Sequence, residues 1–313
     1  MSDSLGHKAM KGTVWSTVDR IGNMCLQFGV NLVLARLLLP REFGAIGMIE
    51  IFLVVSQVLI DGGFAAALIQ KKKPTQTDYS TIFYWNIFIA VILYGVIFLS
   101  APLVAEFFNL PELCNLLRVI GLILITNAFS LIQTNRLRKQ LELNKLACAN
   151  LCAYTVSGIL AIVAAYSGLG VWSLVVLQLG YSSILAVILW VVTGWMPSAV
   201  FSRKSLQELF GFGGYLLAAG LLQEICKNLQ GVIIGKRFSA IAMGLYSQAS
   251  KLDRIASYTL PNILVQVMFP VYASVQDDDD RLIKMLGLNT RLISSVIFPL
   301  MAVLILVAHP LIV

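Results

Sequence analysis

Charge is what this sequence has least of. Only 12% of its 313 residues are Asp, Glu, Lys or Arg, against ~25% in ordinary soluble domains, while 58% are hydrophobic. A soluble fold of this length has too little interior to hide that much apolar surface. Catalytic signatures are missing as well: there is no nucleotide fingerprint, no P-loop, no H-E-x-x-H and no G-x-S-x-G. The expectation is a chain that is not an enzyme, binds no cofactor and draws energy from an ion gradient or from its substrate's own gradient. No C-x-x-C pair occurs among Cys25, Cys114, Cys148, Cys152 and Cys226, so neither a zinc site nor a disulfide framework is indicated, and the five read as small packing residues. The N-terminus lacks the pattern of a cleavable signal peptide: it is polar, and the first apolar block is long and contains Asp19 and Arg20. Net charge is +7, yet no basic amphipathic domain carries it, which argues against nucleic acid as a partner.

What the sequence does have is apolar blocks of roughly 20 to 25 residues, the length a helix needs to cross ~30 Å of hydrocarbon. They fall at 12–39, 43–69, 79–104, 114–135, 146–167, 170–193, 206–235, 241–272 and 286–309, numbered here spans 1 to 9. Backbone polar groups inside lipid must be satisfied within the segment, so the expected fold class is all-α, a polytopic membrane helix bundle. Gly62, Gly63, Pro261, Pro270 and Pro299 are then kinks or close contacts. Bases collect in alternate connections: Lys8 and Lys11; Lys71, Lys72 and Lys73; Arg136, Arg138, Lys139 and Lys145; Arg203 and Lys204; Arg281 and Lys284. Positive residues favour the cytoplasmic side, which puts the N-terminus in the cytoplasm.

Sliding the chain against itself by 200 residues lays span 1 over span 7. Arg36 then meets Lys236, Gly44 meets Gly244, and Gln27 meets Lys227. Ser16, Arg20, Asn23 and Gln27 follow one helical face of span 1, as Gly220, Gln223, Lys227 and Gly231 do on span 7. The shift covers six spans, so the repeats run parallel: a first lobe at 1–200 with spans 1–6, and a partial second lobe at 201–313 with spans 7–9. A second lobe of three spans reads as truncated.

Charges at bilayer depth cost about 2.5 to 3.5 kcal/mol each on insertion scales and mark functional sites. Arg20, Lys227 and Arg254 are candidate ligands for an anionic headgroup in a cavity between the lobes. Asp19, Glu50, Asp61, Glu224 and Asp253 are candidates for ion coupling. The plainer reading makes Glu224 and Lys227 an i, i+3 pair and Arg20 an interfacial anchor, with Arg291 behaving likewise. Arg36 and Lys236 read as interfacial anchors, Asp277–Asp280 as a solvated turn without metal, and His309 as a helix-end residue.

Several strings, in this order and spacing, resemble one family: "NLVLARLLLPREFG" at Asn31–Gly44, "DGGF" at Asp61–Phe64, "FYWN" at Phe83–Asn86, "KQLELNK" at Lys139–Lys145 and "MFPVYASVQDD" at Met268–Asp278. They look like the Wzx-type polysaccharide exporters, colanic acid exporters included, of the superfamily that also holds the MATE drug exporters. The resemblance implies two parallel six-helix lobes around a central cavity. It further implies alternating access that moves an undecaprenyl-pyrophosphate-linked oligosaccharide across the bacterial inner membrane, with membrane lipids and polysaccharide polymerase machinery as further partners. A MATE-like drug/cation antiporter and a membrane-embedded glycan polymerase or transferase are the competing readings. The basic cavity candidates favour an anionic substrate over a cationic drug.

Overall fold

The computed structural model describes residues 2–71, 74–140 and 142–253, together with scattered helical residues between 287 and 306. The chain divides into two compact units, Met1–Gly244 and Leu245–Val313. All ten described elements are α-helices: α1 Ser2–Leu37, α2 Pro40–Asp61, α3 Phe64–Gln70, α4 Gln76–Phe107, α5 Glu112–Ile120, α6 Ile123–Lys139, α7 Leu143–Tyr166, α8 Trp172–Thr193, α9 Arg203–Arg237 and α10 Ala240–Asp253.

Spans 1, 3, 5, 6 and 7 correspond to α1, α4, α7, α8 and α9. Span 2 is one membrane-length segment, Pro40–Leu68, broken between α2 and α3, and span 4 is likewise Glu112–Lys139, made of α5 and α6. Among the described residues five segments are long and apolar enough to cross a membrane, or six if α9, bent by 56° between Gly211 and Gly213, counts as one. At 36 residues α1 has the length, but Arg20, Asn23, Gln27 and Asn31 lower its hydropathy. Span 8 is described only as far as Asp253, so Arg254, Pro261, Pro270, the Asp277–Asp280 run and His309 lie outside the described residues.

Local chemistry sets the helix boundaries. Pro40 opens α2, where its missing N–H costs nothing, and the Leu39 N–H donates to Glu42 Oε2 at 2.7 Å. Thr75 and Asp78 form a reciprocal capping box at the start of α4: the Thr75 N–H donates to Asp78 Oδ2 at 2.8 Å, and the Asp78 N–H to Thr75 Oγ1 at 3.2 Å. Gly62 and Gly194 close α2 and α8 in the left-handed conformation, at φ 56° and 55°.

In the first unit α1 and α7 run side by side in the same direction. A Cβ on Gly22 would stand 2.9 Å from Leu151 Cδ2, and one on Gly158 2.8 Å from Val30 Cγ2, so glycine on each helix admits an aliphatic side chain from the other. Elsewhere an aromatic and aliphatic core joins α3, α4 and α6 to α9: Phe64, Leu68, Ile82, Phe83, Ile132 and Leu209 are buried together with Trp195. The expectation that the cysteines serve as packing residues needs correction. Cys25, Cys148, Cys152 and Cys226 are exposed on helix surfaces, and only Cys114 is half-buried. An apolar helix in a bilayer turns much of its small, apolar side-chain complement outward, so residing in an apolar block does not imply burial in protein.

Candidate functional site

Asp19 has the most developed surroundings of the candidate residues. Its side chain projects from α1 towards α7, where Asn150 Nδ2 donates to Oδ1 at 3.2 Å and to Oδ2 at 3.3 Å. Asn23 Nδ2, one turn further along α1, donates to the same Oδ1 at 2.7 Å. Behind them the Tyr181 hydroxyl of α8 donates to Asn150 Oδ1 at 3.4 Å, and its ring meets that of Tyr154 edge-on at 5.7 Å. Three helices thus converge on one carboxylate through uncharged donors. Arg20 and Arg138 lie within electrostatic reach of it, and Arg138 reaches Asp61 in the same way. None of these arginine–aspartate pairs is within ion-pair distance among the described residues.

Two of the other acids, Asp61 and Glu224, are engaged locally. Asp61 ends α2, and its Oδ1 accepts from the Ala65 N–H at 3.3 Å, so it serves one of the unpaired N–H groups that open α3. Glu224 pairs with Lys227 at 3.0 Å on α9 and accepts a longer bond from Asn228 at 3.4 Å. Glu50 is half-buried on α2, and Asp253 is exposed at the end of α10. Gln57, on the same stripe as Glu50, receives a hydrogen bond from Asn127 of α6 at 3.0 Å. Of the three basic candidates, Arg20 is half-buried on α1, Lys227 is exposed on α9 beside Glu224, and Arg254 is not among the described residues.

Reasoning from the sequence missed Asn150 and Tyr181. Asn150 is the one amide in span 5, a signal that could have found it, whereas Tyr181 stands among Gln178, Ser182 and Ser183 and nothing in the sequence marks it out. It also counted Lys71, Arg136 and Lys139 only as topology markers, although the structure gives them specific work. Lys71 bridges Asp78 of α4 at 3.1 Å and Glu208 of α9 at 3.2 Å. Burial alone would lower the Lys71 pKa, but hydrogen bonds and charge from these two carboxylates outweigh it and hold the ammonium above the ordinary lysine value. Lys139 donates to the Leu68 carbonyl at 2.8 Å and to the Lys71 carbonyl, closing the C-terminal end of α3. Arg136 stacks over Tyr79 and Trp195, 5.7 and 5.5 Å from the ring centroids.

The connection from α8 to α9 is pinned to the start of α4. Trp195 Nε1 donates to Gln76 Oε1 at 2.7 Å, and Gln76 Nε2 to the Met196 carbonyl at 2.8 Å. The Ser198 and Ser202 N–H groups donate to Ser80 Oγ and Thr81 Oγ1 at 2.9 and 3.0 Å. Next to it, the break in span 2 touches the bend in α9: a Cβ on Gly63 would collide with the Gly213 carbonyl, and one on Gly213 would stand 2.8 Å from the Gly62 oxygen.

Residues 33–313 match the polysaccharide biosynthesis protein family. The chain belongs to this family. Among its curated relatives is the teichuronic acid biosynthesis protein TuaB of Bacillus subtilis, 27% identical over 95% of this chain and 62% of that protein. The lipopolysaccharide biosynthesis protein WzxC of Escherichia coli is 25% identical over 89% of the chain and 57% of its own length. The succinoglycan biosynthesis transport protein ExoT of Rhizobium meliloti is 25% identical over 95% and 60%. The chain therefore spans about 60% of the length of these relatives. No solved structure matches it significantly. Five or six membrane-length segments among the described residues make this member of the polysaccharide biosynthesis protein family a multi-pass membrane protein.

Proposed function

We propose that the chain is part of a flippase that carries undecaprenyl-pyrophosphate-linked oligosaccharide units across the bacterial inner membrane by alternating access, with its N-terminus in the cytoplasm and without chemistry of its own. The observation that carries this reading is membership of the polysaccharide biosynthesis family, with a relative named as a succinoglycan transport protein. The lobes are 1–200 and 201–313, and the polymerase machinery is a partner on the receiving side. Arg20, Lys227 and Arg254 take the pyrophosphate, whose oxygens match cationic donors. Neither the relatives' names nor the described residues favour the drug antiporter or the transferase.

Of the five candidate acids, Asp19 best suits ion coupling. Asp61 and Glu224 already serve a helix start and a neighbouring lysine, whereas Asp19 is held by two amides that can accompany either the carboxylate or a carboxyl occupied by a cation. Exchanging Asp19→Asn should abolish the response of export to an imposed ion gradient while leaving membrane insertion intact.

Deleting the gene that carries this sequence from its own host tests the main reading. Surface glycan should fall, and lipid-linked oligosaccharide should accumulate where an impermeant glycan-cleaving enzyme cannot reach it in intact cells. Unchanged surface glycan with normal carrier-lipid levels would remove the flippase assignment.

A further inference from the structure

The connection at residues 194–202 has an inner and an outer side. Inward, the four hydrogen bonds from Trp195, Gln76, Ser198 and Ser202 tie it to the first turns of α4, and Ser80 Oγ and Ser198 Oγ share a fifth at 3.0 Å. Trp195 is buried on that side. Outward project Met196, 73% exposed, Val200, 49%, and Phe201, 48%. A backbone pinned in this way has no slack with which to tuck those side chains under, so their exposure is built in. The exposed strip begins on α8: Val187 and Val191 lie one turn apart near the end of this membrane-length helix, where acyl chains cover them, and Met196 follows five residues later. Clustered apolar exposure of this kind marks a surface that something apolar covers.

Two cations border the strip. Arg203 and Lys204 open α9, both exposed, and the side chain of neither forms a hydrogen bond or an ion pair among the described residues. Glu208, one turn along from Lys204, is the nearest carboxylate in the helix, but Lys71 holds it at 3.2 Å. The helix itself does not call for these cations: its first turn carries positive partial charge, which disfavours them. That turn is also capped already, with Ser202 Oγ accepting from the Ser205 N–H at 3.3 Å. Free cations beside exposed apolar side chains, where a spanning helix has just left the bilayer, match one kind of partner. An anionic phospholipid brings acyl chains to the strip and an uncompensated phosphate to the cations. A zwitterionic lipid suits the strip but brings its own ammonium to the cations, and a soluble anion suits the cations alone.

We propose that residues 196–204 form a docking surface for anionic phospholipid, with Met196, Val200 and Phe201 among the upper acyl chains and Arg203 and Lys204 on the headgroup phosphates. The full chain in lipid nanodiscs tests this without any glycan, so the result is independent of the flippase reading. Val200→Cys, in a chain whose five native cysteines are replaced by serine, carries an environment-sensitive fluorophore. A nitroxide high on the lipid acyl chain should quench it several-fold more than aqueous iodide does. In discs holding equal phosphatidylglycerol and phosphatidylcholine, native mass spectrometry should find the wild type retaining phosphatidylglycerol several-fold over phosphatidylcholine. Arg203→Gln/Lys204→Gln should lose that preference and keep the acyl-chain quenching, whereas Arg203→Lys/Lys204→Arg should keep both. Met196→Ser/Val200→Ser/Phe201→Ser should retain less of either lipid. If the triple variant fails to accumulate, the charge variants and the quenching decide the question. A wild type without preference between the two lipids, or a preference unchanged in Arg203→Gln/Lys204→Gln, overturns the headgroup assignment. Quenching stronger from iodide than from the nitroxide overturns the surface as a whole and gives it to a soluble partner.

Discussion

Glycine brings backbones together at two places on the first unit, and the two are built differently. At the α2–α3 break, Gly62 and Gly63 have positive φ values of 56° and 72°, so glycine is needed for conformation as well as for space against Gly213. Around that contact stand the Lys71–Asp78–Glu208 bridge, the Lys139 bonds to α3 and the pinned α8–α9 connection. At the second place Gly44 of α2 meets Gly244 of α10: a Cβ on Gly44 would collide with the Ala240 carbonyl, and one on Gly244 with the Pro40 carbonyl. There the backbone is ordinary helix, glycine is needed only for space, and the bond from Lys236 to the Phe107 carbonyl lies alongside. Among the described residues, polar bonds surround the first contact, and packing of Met48 and Phe108 against Gly235 stands beside the second.

The largest effect should come from breaking the first contact. Gly63→Ala combines left-handed strain with a collision against the Gly213 backbone, for a loss of about 3 to 5 kcal/mol and little folded protein in the membrane, measured by abundance and by melting in detergent. Gly194→Ala provides the control, since its φ is 55° but nothing lies within 4 Å of a Cβ there. It should cost only about 1 kcal/mol, the strain alone.

Charge comes next. The Asp78 side chain is 2% exposed, so Lys71→Met would leave a buried carboxylate with its capping bonds but no cation, at a cost of roughly 2 kcal/mol. Glu208→Gln, whose side chain is 60% exposed, should cost under ~1 kcal/mol. A difference in melting temperature between these two variants would sharpen the account of the bridge, and equal effects would refute it.

The smallest effect is on pH dependence. Because the folded-state Lys71 pKa is raised above 10.5, its contribution is complete below 10.5 and is lost as pH climbs through the folded value. Melting temperature should therefore decline more steeply above pH 10.5 in the wild type than in Lys71→Met.

The sequence by itself determined what is local or periodic. Block length and composition placed the membrane-length segments of spans 2 to 7, because spanning a bilayer is a condition on a contiguous segment. Glycine doublets marked the break in span 2, and the internal offset aligned Gly44 with Gly244 before any contact between them was known. Helical spacing also assigned Arg20, Asn23 and Gln27 to one polar face. Only tertiary structure decided who meets whom. Asp19 finds Asn150 at a separation of 131 residues, Lys139 closes a helix end 71 residues earlier, and Gln57 turns to Asn127 at 70. Periodicity states which face of a helix a residue occupies, but the neighbour opposite that face is chosen by the packing of helices far apart in the chain, and no local pattern encodes it.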